Sequence, residues 1–216
     1  MKLDCLSNEN QPMVRRRSYK PVERLRSVEA GRERIVAAAR DLLEDDDAEG
    51  FSIDAVARRA GVARMTIYKQ FESKAGLLEA LFDSLAARGP LADMADIFQH
   101  PDPLVALDEY VAVFGRFWTL NRRAHGRLRA AALHDEELAS AMAARNERRR
   151  KGVAELLRRL GDKARPVVSR PETIDVIYLL LSFDTFNELA GEARTPEDVV
   201  PTMRRLIRAV LGIVSR

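Results

Sequence analysis

The sequence is poor in the residues that usually carry chemistry. A single cysteine, Cys5, among 216 residues excludes a disulfide within the chain, and a reducing compartment fits. Only three histidines are present, His100, His125 and His134. None has a partner three or four residues away that would make a metal-binding pair, and His125 and His134 would stand on opposite faces of one helix. No glycine-rich phosphate loop and no nucleophile triad can be read, so neither an enzyme nor a cofactor site is expected. Long apolar runs are missing too. The longest, "VIYLLLSF" at 176–183, falls far short of the roughly 20 residues that span a bilayer. The first 20 residues hold no apolar core of a secretory signal. A cytoplasmic protein without a membrane partner is expected.

What is present is helical pattern and unevenly placed charge. The net charge is only +3, so bulk charge does not announce a polyanionic partner. Residues 1–34, however, hold nine Lys/Arg against five Asp/Glu, and residues 50–76 hold five against two. Two basic segments near one end suit phosphate contacts, although an isolated charge cluster is more often solubilising surface charge. Residues 1–25, with Arg15-Arg16-Arg17, two prolines and little apolar content, are expected to form a flexible basic arm. Apolar residues Ile35, Ala39, Leu42 and Leu43 then recur at helical spacing and predict a helix from about Ser27 to Asp45. Ser52 is placed to cap a helix over Ile53–Ala60. Gly61 ends it, a short helix follows from about Arg64 to Gln70, and Ser73 caps a fourth to about Arg88. Gly89-Pro90 marks a boundary. Beyond it, helices are expected from the His100–Pro103 start to about 123, over 126–133, 135–160, 172–190 and 196–214.

Two short helices joined through a glycine form a helix-turn-helix candidate, since the major groove, about 12 Å wide, admits one helix whose N-terminal residues reach base edges. The fuller stretch "GFSIDAVARRAGVARMTIYKQFESKAGLLEALF" (50–82) is more specific. Gly50-Phe51, Ser52, Val56-Ala57, Ala60-Gly61-Val62, Thr66-Ile67-Tyr68, Phe71 and Lys74 make it resemble the DNA-binding region of the TetR-type, tetracycline-repressor-like, regulators. Ala63, Met65 and Gln70 depart from that pattern, and Ala63 leaves the third helix without a side-chain cap.

The resemblance implies an all-α fold: an N-terminal three-helix helix-turn-helix domain (26–88) and a larger C-terminal helical bundle (89–216) for ligand binding and dimerisation. It further implies a ligand-responsive repressor, acting as a homodimer on a pseudo-palindromic site in double-stranded DNA. Arg64 and Met65 would face base edges, the first suited to a guanine and the second to a thymine methyl. Lys69 would reach a base edge or phosphate, while Ser52, Thr66, Tyr68, Gln70 and Lys74 would hold phosphates. Phe51, Val56, Ala60, Val62, Ile67 and Phe71 would close the small core. In the C-terminal part, Tyr110, Phe114, Phe117 and Trp118, with Met142, Tyr178 and Phe183, are candidates for a cavity taking an apolar or aromatic small molecule, although helically spaced aromatics also make plain core. The last two helices, apolar nearly all round, suggest the dimer interface. The basic run "RNERRRKGVAELLRR" (145–159) reads as a solvated face. A helical binding protein without DNA function is the alternative; it leaves the polar face of the third helix without a use.

Overall fold

Helix α1 (Lys20–Glu44) is held by the stripe seen in the sequence: Ile35 and Ala39 are wholly buried, and Leu42 and Leu43 nearly so. It starts seven residues before the expected Ser27. Residues from Leu25 to Ala30 are exposed, so this first stretch has no apolar period to betray it. The computed structural model describes residues 20–45, 50–87, 89, 91 and 94–213; the rest of the expected arm, with Arg15-Arg16-Arg17 and Cys5, lies outside them, as does Pro90 of the expected boundary.

Helices α2 (Ile53–Ala60), α3 (Arg64–Phe71) and α4 (Lys74–Ala87) follow. Leu77, Leu78 and Leu81 of α4 are fully buried against α1–α3, and each such leucine contributes about 1.5–3 kcal/mol through loss of water contact. Next come α5 (Met94–Gln99), α6 (Pro103–Leu120), α7 (Arg122–Ala132), α8 (Glu136–Leu160), α9 (Arg170–Leu180), α10 (Phe183–Ala190) and α11 (Val200–Val210). Among the described residues there is no strand, in keeping with the all-α expectation.

Three differences have local causes. The expected 126–133 helix begins at Arg122, because Asn121 closes α6 by donating from both its backbone and side-chain nitrogens to the Phe117 carbonyl (3.0 and 2.9 Å) and the chain turns at once into α7. The expected 172–190 helix is two helices. Ser182 is extended (ψ 154°) and its hydroxyl accepts from the Thr185 amide, which starts α10 afresh. The expected 196–214 helix opens with a short 3-10 turn, Glu197–Val199, before α11.

Two apolar cores result. One joins α1–α4 to Ala124 and Leu128 of α7 and to Leu138, Ala141 and Met142 of α8. The other packs α6, the C-terminal half of α8 and α9–α11. Helix α8 therefore reaches from the N-terminal head into the centre of the second core.

Candidate nucleic-acid interface and an interior cavity

The α2–turn–α3 unit is built by its caps. The Ser52 hydroxyl accepts from the Ala55 amide (3.2 Å), leaving its own proton free to donate. Gly61 takes the left-handed conformation (φ 65°, ψ 36°), and Gly61 and Val62 donate back to the Arg58 and Ala57 carbonyls, the usual double closure at a helix end. Ala63 makes no side-chain cap, as its sequence implied. Val56, Ala60, Ile67 and Phe71 are buried, with Phe51 and Val62 packed against them, so the expected small core forms.

That burial leaves the outer face of α3 to solvent. Met65 is 72% exposed, an apolar side chain left largely uncovered by the described residues. Arg64 and Lys69 are exposed, and Thr66, Tyr68 and Gln70 are half-buried. The Arg64 guanidinium folds back on this face, donating to the Asp54 carboxylate of α2 (3.0 and 3.2 Å) and to the Tyr68 hydroxyl (3.2 Å). The Tyr68 bond, then the Asp54 charge, raise its pKa further. Gln70 sits against α1, where its carbonyl accepts from Arg32 (2.8 Å) and Arg32 also covers the Phe71 ring.

Lys74 has a partner that no local pattern announces. Its ammonium pairs with Asp135, the residue that caps α8 by accepting from the Leu138 amide (3.1 Å). Beside it the Ala75 amide donates to Glu137 (2.8 Å). Burial pushes the Asp135 carboxyl up, but the Lys74 ammonium and the Leu138 and Glu137 amides outweigh that and hold it below the usual carboxylate range. The start of α4 is thus tied to the start of α8, and the Lys74 side chain is only 17% exposed. If the pair joins head to body, Lys74→Ala and Asp135→Ala will each lower the melting temperature and the double variant will lose less than the sum. A phosphate role for Lys74 predicts instead that Lys74→Ala weakens DNA binding and flattens its salt dependence, while Asp135→Ala does not.

Between α4–α6, α7 and α8 lies a cavity of about 580 Å³, within the size range of small-molecule sites. Tyr110, Phe114, Phe117, Trp118 and Met142 line it, as the sequence suggested. Tyr178 and Phe183 stand behind its wall. Phe183 packs on Trp118 and His125 (ring centroids 5.7 and 4.6 Å), and Tyr178 lies under the Arg149 guanidinium (4.8 Å). The wall also includes His125, Arg145, Arg148, Arg149 and Lys151; the run read from the sequence as a solvated basic face is exposed at Glu147, Arg148, Lys151 and Arg158, but Arg149 within it is buried. Burial, helped by the Arg129 and Arg149 charges, drives the His125 imidazole down to about 3, so it is neutral at pH 7. The Tyr110 hydroxyl donates to the Arg149 carbonyl (3.1 Å). Gly152 allows this approach, for a Cβ there would run into that hydroxyl and come within 3.2 Å of Phe98. The sequence did hold one sign of Arg149: Met142, Val153, Leu156 and Leu160 are all buried, and Arg149 falls in step with them, seven after the first and four before the second.

Residues 35–81 match the family model for bacterial regulatory proteins of the tetR family. The head is thus similar to the DNA-binding region of tetR-family regulators. An HTH-type transcriptional regulator of Mycobacterium tuberculosis, AlkX, is 39% identical over 72 residues, 32% of this chain and 34% of that protein; the alignment thus spans about a third of the relative. Solved structures extend the likeness to the whole TetR fold. A Rhodococcus sp. protein assigned to the family superposes with a TM-score of 0.65 at 19% identity, covering 85% of this chain and 99% of the other. NalD, the secondary repressor of the MexAB-OprM multidrug efflux pump in Pseudomonas aeruginosa, superposes with a TM-score of 0.61 at 20% identity, over 86% and 97%. The TetR-type head, with its exposed α3, supports a DNA-binding transcriptional regulator. Among the described residues no helix is long and apolar enough to cross a membrane.

Proposed function

We propose that the chain is a homodimeric repressor that binds a pseudo-palindromic duplex through α3 and leaves it when a small molecule fills the cavity. The observation that carries this is the composition of the uncovered face of α3. Arg64, Met65 and Lys69 project from a head whose core is already closed behind them. Arg64 and Met65 at the N-terminal end of α3 are the base readers, and Lys69 reaches base or phosphate. Ser52, Thr66, Tyr68 and Gln70 position the head on phosphates.

A second copy is supported by apolar surface on the closing helices. Leu179 of α9 is 62% exposed and Leu206 of α11 is 41% exposed, and single apolar residues of this size so placed gain most by meeting their symmetry mates. Two heads then address two half-sites. The effector acts only through a difference in affinity between the DNA-competent and released arrangements. The path is short: α8 lines the cavity and is pinned at its start to Lys74 of α4.

The test is selection from a random duplex pool with the purified full chain, its mass measured in solution alongside. Enrichment of an inverted repeat bound by a dimer is the expected result. No enrichment at low salt, by protein shown to be free of bound small molecules, would sink the reading.

A further inference from the structure

The interior of the second core holds a cation that no described carboxylate pairs with directly; the Asp184 carboxylate, already held by Arg129, acts on it only from a distance. Arg149 is 7% exposed, and among the described residues no carboxylate comes within ion-pair distance of it. Its Nη1 donates to the Asn146 amide oxygen (3.1 Å), the Tyr178 hydroxyl also bonds the guanidinium, and among the described residues its Nε has no hydrogen-bond partner. The guanidinium is otherwise surrounded by rings: Tyr178 at 4.8 Å, Trp118 at 5.6 Å and Phe114 at 5.7 Å. The Nε atoms of Arg145 and Arg208 also lack a hydrogen-bond partner, but those guanidiniums have carboxylates: Arg208 pairs with Asp108, and Arg145 with Asp83. The acidic residue on the cavity wall, Glu155, is engaged by Arg158 through two bonds (2.7 and 2.8 Å). Aromatic faces attract a cation, but they do not replace the hydration that a buried charge forfeits. Burial accordingly lowers the Arg149 pKa more than any other influence on it.

We propose that the cavity takes an amphipathic carboxylate, its apolar body lying among Phe114, Phe117 and Trp118 and its carboxylate meeting the Arg149 guanidinium. A carboxylate is the group that matches a guanidinium in both charge and fork geometry, and it would engage the unpartnered Nε. The cavity walls match the rest of such a molecule: four aromatic side chains in edge-to-face array (Tyr110–Phe114 5.0 Å, Phe117–Trp118 4.9 Å), and a histidine that is uncharged at pH 7. An apolar or aromatic ligand alone would leave Arg149 as it is, so the apolar or aromatic effector expected from the sequence is here given an anionic head as well. The same chemistry supplies a route to the head. Arg145 stands one turn before Arg149 on α8 and, with Arg148, holds Glu79 and Asp83 of α4. A carboxylate at this end of the cavity competes with those α4 carboxylates for the arginines. The inference rests on the cavity being the effector site.

The test uses binding without DNA, so that its outcome is independent of operator recognition. Trp118 is the single tryptophan and lies on the cavity wall, so its fluorescence reports occupancy. The probes are straight-chain carboxylates of six to fourteen carbons and 2-naphthoate, each beside its neutral alcohol and its amine. Saturable change with the carboxylates, at least tenfold tighter than with the matched alcohols and amines, is expected. Arg149→Met should erase that preference without lowering the melting temperature of the ligand-free protein, since it removes an uncompensated charge. Equal or tighter binding of the alcohols or amines, or no binding by any carboxylate, would overturn the proposal, with the wild-type chain alone sufficient to show it. A markedly lower melting temperature for Arg149→Met would count against it as well, making Arg149 a structural anchor. If a neutral probe both binds and releases DNA, the effector site stands and only the carboxylate assignment fails.

Discussion

Arg64→Ala will weaken binding to the selected duplex by about 1–3 kcal/mol, a loss of roughly 5- to 150-fold, and will relax base preference at one position of each half-site. In the free protein this guanidinium is held by Asp54 and by the Tyr68 hydroxyl. That holding places it at the N-terminal end of α3, the end of a recognition helix that meets base edges. The exchange on binding is small. Both partners are about half exposed, with side chains 55% and 56% accessible, and exposed ion pairs contribute little to stability. The melting temperature of the variant should therefore stay close to wild type while affinity falls, which separates a reading defect from a folding defect. Competition titrations against the selected duplex and an unrelated one decide the matter. A uniform loss on both would make Arg64 a phosphate contact.

Gly76→Ala will lower the melting temperature and abolish binding to every duplex. On helix propensity alone the sign would be the reverse, because alanine in a helix is favoured over glycine by about 1 kcal/mol. The α3–α4 junction decides otherwise. Helix α3 ends at Glu72, which adopts φ 66° and ψ −41°, a conformation near the strained γ-turn. The Ser73 amide then donates to the Phe71 carbonyl two residues back (2.7 Å). The Ser73 hydroxyl accepts from the Gly76 amide (3.0 Å) and so caps α4. This folds the Phe71 carbonyl directly over Gly76. A Cβ there would run into the carbonyl oxygen and stand 3.2 Å from its carbon. Both are backbone atoms and cannot swing aside. Overpacking of this kind costs roughly 1–3 kcal/mol, which for a chain of this size is a fall of about 2–12 °C. The damage is centred on the joint that aims α3. A melting temperature equal to or above wild type would show that the junction yields more easily than its hydrogen bonds suggest.

The recognition unit was legible because its determinants are close together in the chain. Ser52 and Ala55, or Gly61 and Arg58, are within four residues of each other, so residue type alone carries the instruction. The stripes of α4, α6 and α8 were legible for a related reason, since burial on one side imposes a period that survives in the order of residues. Boundaries were lost where that period was absent or uninterrupted. Residues 25–30 of α1 are exposed and have no stripe to read, and the apolar run 172–190 does not show that Ser182 starts a new helix. The seven candidates for the cavity show the same limit. Helical spacing puts residues on one face, yet whether that face meets a space or a neighbour depends on elements elsewhere. Five line the cavity, whereas Tyr178 and Phe183 press on its wall from behind.

From the sequence alone came the all-α class, the helix-turn-helix, its caps and its outward residues, since i to i+4 hydrogen bonds, capping side chains and a one-sided stripe are local properties. The tertiary structure alone decided who Lys74 meets, 61 residues away, and that Arg149 meets no carboxylate among the described residues. It turned one residue of a basic, largely solvated run, Arg149, inward to the wall of a cavity. Charge interactions depend on the distance and dielectric between groups that chain order does not relate, and only the packed helices set both.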